Sequence, residues 1–234
     1  MNFIQKIVRK MRRVESVSYV DPALNNNCSE FEVNNWVVSD FIIKKLVPIA
    51  GIHPYPIAEL NLMTATVCRL KPQQIFEWGT NIGKSARIFY EVAQHFGIPL
   101  HVHSVDLPDD LDHIEHPRSD RGYMVKGCAN ITLYQADGLS KAIELYQLKP
   151  DAGTLVFIDG DHSYESVFRE LNGIIQSMPN ASILLHDTFY QSDAASYNIG
   201  PYKAISDTLA TMPDKYKLMS TTTGLPGMTL LYRL

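Results

Sequence analysis

From Ile75 to the end of the chain, short apolar blocks alternate with stretches of helical spacing. Ile75–Trp78, His101–Asp106, Ile131–Ala136, Leu155–Asp159 and Ile183–Asp187 read as strands, with helices in the connections between them. Several blocks are apolar throughout, the pattern of parallel strands whose two faces are both covered by helices. The connection Leu107–Asn130 is the exception, a polar stretch that reads mostly as loop. A helix near Tyr202–Thr211, a strand Tyr216–Ser220, a turn at Gly224-Leu225-Pro226-Gly227 and a strand Met228–Tyr232 close the chain. So short a turn makes the last two strands pair antiparallel, since a parallel pair needs a long crossover. The pattern predicts an α/β fold: a doubly wound, Rossmann-like sheet of seven strands with an antiparallel end.

Upstream, Phe3, Ile4, Ile7, Val8 and Met11 recur at helical spacing among Lys6, Arg9, Lys10, Arg12 and Arg13. This is a short basic amphipathic helix without the apolar core of a signal peptide. It is expected to dock on its own domain or on a sister subunit, so that N-terminal helices would carry a homo-oligomer contact; membrane-surface contact is the alternative. Asp21–Asn35 is polar and Asn-rich and reads as a surface linker. Trp36–Val47 and Ile57–Leu70 read as helices, separated by Gly51-Ile52-His53-Pro54-Tyr55-Pro56, whose prolines interrupt the helical run. The chain thus divides into residues 1–56 (basic helix, linker and cap) and 57–234 (the sheet domain). His53 and Tyr55 are expected to pack within the turn, with facing a substrate as the alternative.

Composition narrows the classes. Apolar residues make up 45% and charged residues 20%, which suits a globular core. A net charge of −4 argues against a nucleic-acid surface, which needs clustered Lys and Arg. Cys28, Cys68 and Cys128 form no C-x-x-C and read as free thiols of a reducing compartment. No apolar run reaches membrane-spanning length, so the cytoplasm is the expected location.

The stretch Ile75-Phe76-Glu77-Trp78-Gly79-Thr80-Asn81-Ile82-Gly83-Lys84-Ser85 leads through glycines into the helical pattern Ala86–Phe96. Such a loop lets backbone N–H groups approach a ligand, and the helix N-terminus favours negative charge. A P-loop needs four residues between Gly and Gly-Lys-Ser, where this chain has Thr80 to Ile82, and the dinucleotide fingerprint needs a glycine where Asn81 stands. The remaining pattern, E-x-G-x-x-x-G-x-S, resembles the first motif of class I methyltransferases that use S-adenosylmethionine (SAM). A tight turn in another α/β protein is the plain alternative.

Ligands of doubly wound sheets sit beyond the carboxyl ends of the strands. Glu77, Asp106, Asp137, Asp159 and Asp187 stand at or next to the five predicted ends. The resemblance implies that Glu77, Gly79, Thr80, Asn81, Gly83, Ser85, Asp106, Asp137, Gly138 and Asp159 bind SAM. Within that set Asp106 would accept the ribose hydroxyls, and Asp137-Gly138 would meet the adenine.

Phe157-Ile158-Asp159-Gly160-Asp161-His162-Ser163-Tyr164-Glu165 and Leu184-Leu185-His186-Asp187-Thr188-Phe189 are similar to the metal-assisted O-methyltransferase branch. That branch includes antibiotic-tailoring sugar methyltransferases of the macrocin type and cephalosporin-hydroxylase-like proteins. The similarity implies Mg²⁺ or Mn²⁺ on Asp159 and Asp187, with His162 as base. The chemistry agrees, because a hard dication takes carboxylate oxygens and lowers the pKa of a bound hydroxyl. The chain departs where catechol-type relatives carry Asp-Asn: it has Asp187-Thr188, preceded by His186. Thr188 is a weak ligand and imidazole is softer than Mg²⁺ prefers, so the alternative is that Asp159 and Asp187 orient SAM without a metal. His113-Ile114-Glu115 has the H-x-E spacing of non-haem iron triads, although a solvated acidic loop explains it equally and the fold argues against an oxygenase. The expectation is a SAM-dependent O-methyltransferase acting on a hydroxyl of a small molecule or glycosylated metabolite. A non-catalytic SAM-binding module is the other alternative.

Overall fold

A computed structural model describes residues 22–23, 28–111, 118–195, 197–212 and 214–233, and in it the alternating blocks form one mixed sheet. Its strands are β1 (Gln74–Trp78), β2 (His101–Asp106), β3 (Ile131–Gln135), β4 (Thr154–Ile158), β5 (Ser182–His186), β6 (Lys217–Ser220) and β7 (Met228–Tyr232). They lie in the order β3-β2-β1-β4-β5-β7-β6. The first five are parallel, and β7 inserts antiparallel between β5 and β6. The predicted seven-stranded sheet with its antiparallel end is therefore observed.

Helices cover both faces. One face carries α1 (Asn35–Phe41), which continues through a π-helical turn (Ile42–Leu46) into α2 (Val47–Ala50), together with α3 (Ile57–Leu70) and α4 (Lys84–Phe96). The other carries α5 (Gly138–Leu148), α6 (Tyr164–Ser177) and α7 (Ile199–Thr211). The two-residue period of the strands sorts their side chains between these layers. Ile75, Leu155, Phe157 and Leu184 pack under α1–α4, while Phe76, Val156, Ile158, Ile183 and Leu185 pack under α5–α7. All of these are buried, each contributing about 1.5–3 kcal/mol of apolar burial.

Helix ends follow local chemistry. Asn34 Oδ1 accepts from Val37 N and caps α1, and Ser163 Oγ accepts from Ser166 N and caps α6. Gly97, with φ +64°, ends α4 in the left-handed conformation. The first helical run extends past the expected Val47, because the wider π turn carries it through Pro48 to Ala50.

Three parallel strands leave the ladder one residue earlier than their sequence blocks, at Gln135, Ile158 and His186. Asp159 and Asp187 therefore stand just beyond the sheet, not in it. Asp187 takes a positive φ of 56°, a conformation uncommon outside glycine that redirects the chain beside the cleft. In Leu107–Asn130 the described residues hold only the 3₁₀ turns Arg118–Asp120 and Tyr123–Val125. The basic segment 1–14 and His113-Ile114-Glu115 lie outside the described residues. The three cysteines form no disulfide. No described helix is long and apolar enough to cross a membrane.

Strand β1 is followed by a helix on one face and β4, its neighbour, by a helix on the other. That divergence opens a cleft at their carboxyl ends, where the glycine loop and Asp159 meet.

Candidate active site

The glycine loop starts from a buried acid. Glu77 is 1% exposed, and its Oε1 accepts from Ser104 Oγ at 2.6 Å, which in turn lies 2.7 Å from Thr80 Oγ1. Glu77 Oε2 is buried and has no hydrogen-bond partner among the described residues. Burial raises the carboxyl pKa to about 7, with Ser104 and Ser85 offsetting part of the effect.

The two glycines are needed first by the fold. Gly79 has φ +94°, and a Cβ there would stand 2.1 Å from the Asp159 carbonyl oxygen. Gly83 has φ +86°, and its Cβ would press on the Val125 methyls at 3.2 Å. Thr80 and Ser85 are buried beside the loop, whereas Asn81 is exposed and its carbonyl accepts from Gly122 N at 2.8 Å.

Asp106 stands at the end of β2, the neighbour of β1. Its Oδ1 accepts from Leu107 N and its Oδ2 from Arg121 Nε, both at 2.9 Å. Arg121 also donates to Asp109 Oδ1 at 2.5 Å, so the carboxylate plane is held from two sides. Each carboxylate oxygen accepts more than one hydrogen bond, which leaves capacity for a ligand's hydroxyls. Asp137 plays a structural part, since its Oδ1 caps α5 through Ser140 N at 2.9 Å and its Oδ2 pairs with Arg169 at 3.0 Å. Gly138 leaves room for the Trp78 indole, since its Cβ would fall 2.5 Å from that ring.

At the ends of β4 and β5 the chain assembles an acid–imidazole cluster. Asp159 Oδ1 lies 2.9 Å from His186 Nδ1, and its Oδ2 accepts from the Tyr55 hydroxyl at 2.5 Å. Asp187 Oδ2 lies 3.2 Å from His162 Nε2 and 3.3 Å from His186 Nδ1, and its Oδ1 accepts from the Tyr197 hydroxyl at 2.7 Å. His162 Nε2 is 3.8 Å from Asp159 Oδ1. Behind His186, Nε2 lies 3.0 Å from Glu59 Oε2, and Glu59 Oε1 accepts from Gly227 N at 2.8 Å.

The electrostatics follow from that crowding. Burial works against a charge on His186, but Asp159, Asp187 and Glu59 outweigh it and raise the pKa to about 12. Burial likewise disfavours charge on Asp159 and Asp187, and the imidazoles and phenols around them bring both carboxyls below the usual range. For His162, desolvation pulls down but Asp159 and Asp187 overcome it, so its pKa is raised. Burial, then Asp159, pushes the Tyr55 phenol well up.

The three residues expected to do the chemistry, Asp159, Asp187 and His162, are thus brought together. Thr188 is turned away and pairs with Thr229 Oγ1 at 2.8 Å. Sequence reading weighed His186 only as a soft neighbour of Asp187, and it missed Glu59 and the contacts made by Tyr55 and Tyr197. A signal existed for two of them: His186 ends an apolar strand, and Glu59 is an acid on the buried side of an apolar helix.

Residues 76–188 match the family model of a methyltransferase domain. No curated protein sequence matches the chain. Solved structures with the same fold include the O-methyltransferase TomG from Streptomyces achromogenes, involved in tomaymycin synthesis and solved with SAM. It is 14% identical, with 85% of this chain and 96% of that one aligned at a TM-score of 0.56. They also include CalS11, a TDP-rhamnose 3'-O-methyltransferase of calicheamicin biosynthesis, at 13% identity, 82% and 86% coverage and a TM-score of 0.54. The methyltransferase PaMTH1 from Podospora anserina, bound to S-adenosylhomocysteine, aligns over 99% of this chain and 97% of its own at 14% identity and a TM-score of 0.53. At these identities the likeness establishes the fold.

Proposed function

We propose that this chain is a class I methyltransferase that moves the methyl group of SAM onto a hydroxyl of a small molecule or glycosylated metabolite, assisted by a divalent cation on Asp159 and Asp187. The observation that carries the reading is the meeting of two supports. The glycine loop touches the Asp159 backbone, and the Asp159 side chain heads a cluster that also holds Asp187 and His162. Donor and acceptor sites therefore share one residue.

The residues present fit SAM. Glu77 keeps a buried carboxylate oxygen without a partner, ready for a cationic ammonium. Asp106, held in plane by Arg121, suits a pair of ribose hydroxyls. They fit a cation as well, since Asp159, His186 and Asp187 offer donor atoms within 4.8 Å of one another. SAM would supply a methyl group already activated by its sulfonium, and the cation would lower the pKa of the acceptor hydroxyl.

The remaining work belongs to the chain. Glu77 and Asp106 bind and orient the donor, which supplies the proximity term. His162 takes the hydroxyl proton at Nε2, where Asp187 Oδ2 at 3.2 Å stabilises the resulting imidazolium. Tyr55 and Tyr197 each hold one oxygen of the two aspartates and leave the other facing His186.

One observation favours a second reading. His186 Nδ1 sits 2.9 Å from Asp159 and 3.3 Å from Asp187, where a protonated imidazole would itself neutralise the carboxylates, so methyl transfer without a metal, by positioning and His162 alone, is the alternative. Formation of S-adenosylhomocysteine from SAM across a panel of sugar and phenol acceptors, with and without EDTA, tests both. Activity abolished by EDTA and restored by a dication supports the metal; activity indifferent to EDTA supports the second reading. No turnover and no SAM binding would refute the assignment.

A further inference from the structure

The ligand set read from the sequence, two aspartates, describes an all-oxygen site. The structure adds a nitrogen donor and everything needed to hold it. Asp159, Asp187 and His186 each offer a donor atom within 4.8 Å of the others, with His186 Nδ1 2.9 Å from Asp159 Oδ1 and 3.3 Å from Asp187 Oδ2. Ligands around a small dication at about 2.1 Å stand roughly 3.0–3.4 Å from one another, and these spacings match.

The outer atoms are committed too. The second oxygens of Asp159 and Asp187 carry the Tyr55 and Tyr197 hydroxyls. His186 Nε2 faces Glu59 Oε2 at 3.0 Å, and the other oxygen of Glu59 is pinned by the Gly227 N–H. A carboxylate on the far nitrogen of an imidazole fixes its tautomer and ring orientation and makes the near nitrogen a better metal ligand. Charge points the same way: Glu59, Asp187 and Asp159, at 3%, 5% and 15% side-chain exposure, surround one buried imidazole. Against these three carboxylates the two imidazoles, His186 and His162, supply at most two positive charges.

We propose that His186 is a metal ligand through Nδ1, with Glu59 as its outer partner, and that the site consequently prefers a first-row transition dication to Mg²⁺. The inference rests on the metal-assisted reading above and deepens it. Imidazole favours Mn²⁺, Fe²⁺, Co²⁺ or Zn²⁺ over the harder Mg²⁺. His162 is left out of the ligand set: it stands on the exposed side of the cluster, 39% exposed, where an acceptor hydroxyl arrives.

Mn²⁺ binding to the full chain, read by pulsed electron paramagnetic resonance, tests this without any turnover assay. Bound Mn²⁺ should show nitrogen coupling that changes isotope pattern when histidine is labelled with ¹⁵N. Competition should show Mn²⁺ preferred to Mg²⁺ by at least about tenfold. Glu59→Gln should weaken Mn²⁺ by roughly 10–100-fold, and His186→Gln should remove the coupling. His162→Ala should keep it. The isotope measurement needs no substitution, so a misfolded variant leaves the test intact. Mn²⁺ bound without nitrogen coupling, or coupling lost in His162→Ala, overturns the role of His186 while the metal reading stands. No dication binding at all overturns both, and leaves His186 as the cluster's own cation.

Discussion

Replacing Glu77 with Gln should remove a pH-dependent loss of stability from the cofactor-free protein and weaken its hold on SAM. Glu77 is 1% exposed, and its carboxyl is raised from 4.5 to about 7, burial outweighing the hydroxyls of Ser104 and Ser85. A group whose folded pKa lies above its unfolded one stabilises the fold fully below the unfolded value. That contribution is lost as pH rises through the folded value. Between about pH 4.5 and 7 the wild type therefore loses stability as pH rises, by roughly 3 kcal/mol when the window is crossed. Gln does not ionise, so this slope vanishes. Its amide N–H would stand where Oε2 has no partner, at a cost of about 1–3 kcal/mol that does not depend on pH. The robust quantity is thus the change with pH: urea unfolding should favour Glu77→Gln by roughly 2.5 kcal/mol more at pH 8 than at pH 5. Calorimetry should show SAM bound roughly 10–150-fold more weakly, the value of a charge-assisted bond. Parallel pH profiles for the two proteins would refute the buried-carboxylate argument, and unchanged SAM affinity would remove Glu77 from the donor site.

Asp106→Ala should weaken SAM by roughly 10–100-fold in calorimetry, since it removes charge-assisted acceptors and frees Arg121; equal affinity would place the ribose elsewhere. Gly79→Ala should lower the melting temperature even without cofactor, because its Cβ would meet the Asp159 carbonyl at 2.1 Å. A wild-type melt would show that the glycine loop does not press on the Asp159 backbone. His162→Ala should reduce turnover roughly 10²–10⁴-fold with SAM affinity unchanged, and wild-type turnover would make His162 a turn residue only. Phe157→Ala, in the layer under α1–α4, should cost about 3–5 kcal/mol in denaturant unfolding.

The parts legible in the sequence share a physical cause: each is a local pattern. Strand blocks such as Ile183–Leu185, the glycine spacing at Gly79 and Gly83, and the acids at the strand ends are all readable within a few residues. The closing hairpin is legible for the same reason, since the short turn after Ser220 leaves β6 and β7 one way to pair. What stays hidden depends on long-range geometry. Glu59 and His186 are 127 residues apart in sequence, yet 3.0 Å apart in space. Tyr55 reads as packing within a proline turn, but its hydroxyl reaches Asp159 across 104 residues. The glycine at position 79 shows the converse. The sequence pattern explains it by cofactor approach, while the structure supplies a nearer reason, the Asp159 backbone just beyond the end of β4.

The burial of the cluster also sets a direction of approach. Tyr55, Glu59 and His186 close it from below, at 4%, 2% and 5% exposure, and all come from the α3 side or the sheet itself. His162 and Tyr197 stand on the opposite side, at 39% of the side chain and 48% of the residue exposed. On the proposed reading an acceptor hydroxyl would reach Asp159 and Asp187 between the turn after β4 and the segment before α7. Both of those are anchored: a Cβ on Gly200 would collide with the His162 carbonyl at 2.4 Å, and Asn198 Nδ2 donates to the Pro226 carbonyl at 2.5 Å. The mouth is thus built from two loops fixed to each other and to the β6–β7 turn. Changes in those loops should alter which acceptor is accepted while leaving donor binding at Glu77 and Asp106 intact. The measurement is the KM for the acceptor against the Kd for SAM in Tyr197→Phe: a shift in both together would contradict separate donor and acceptor entries.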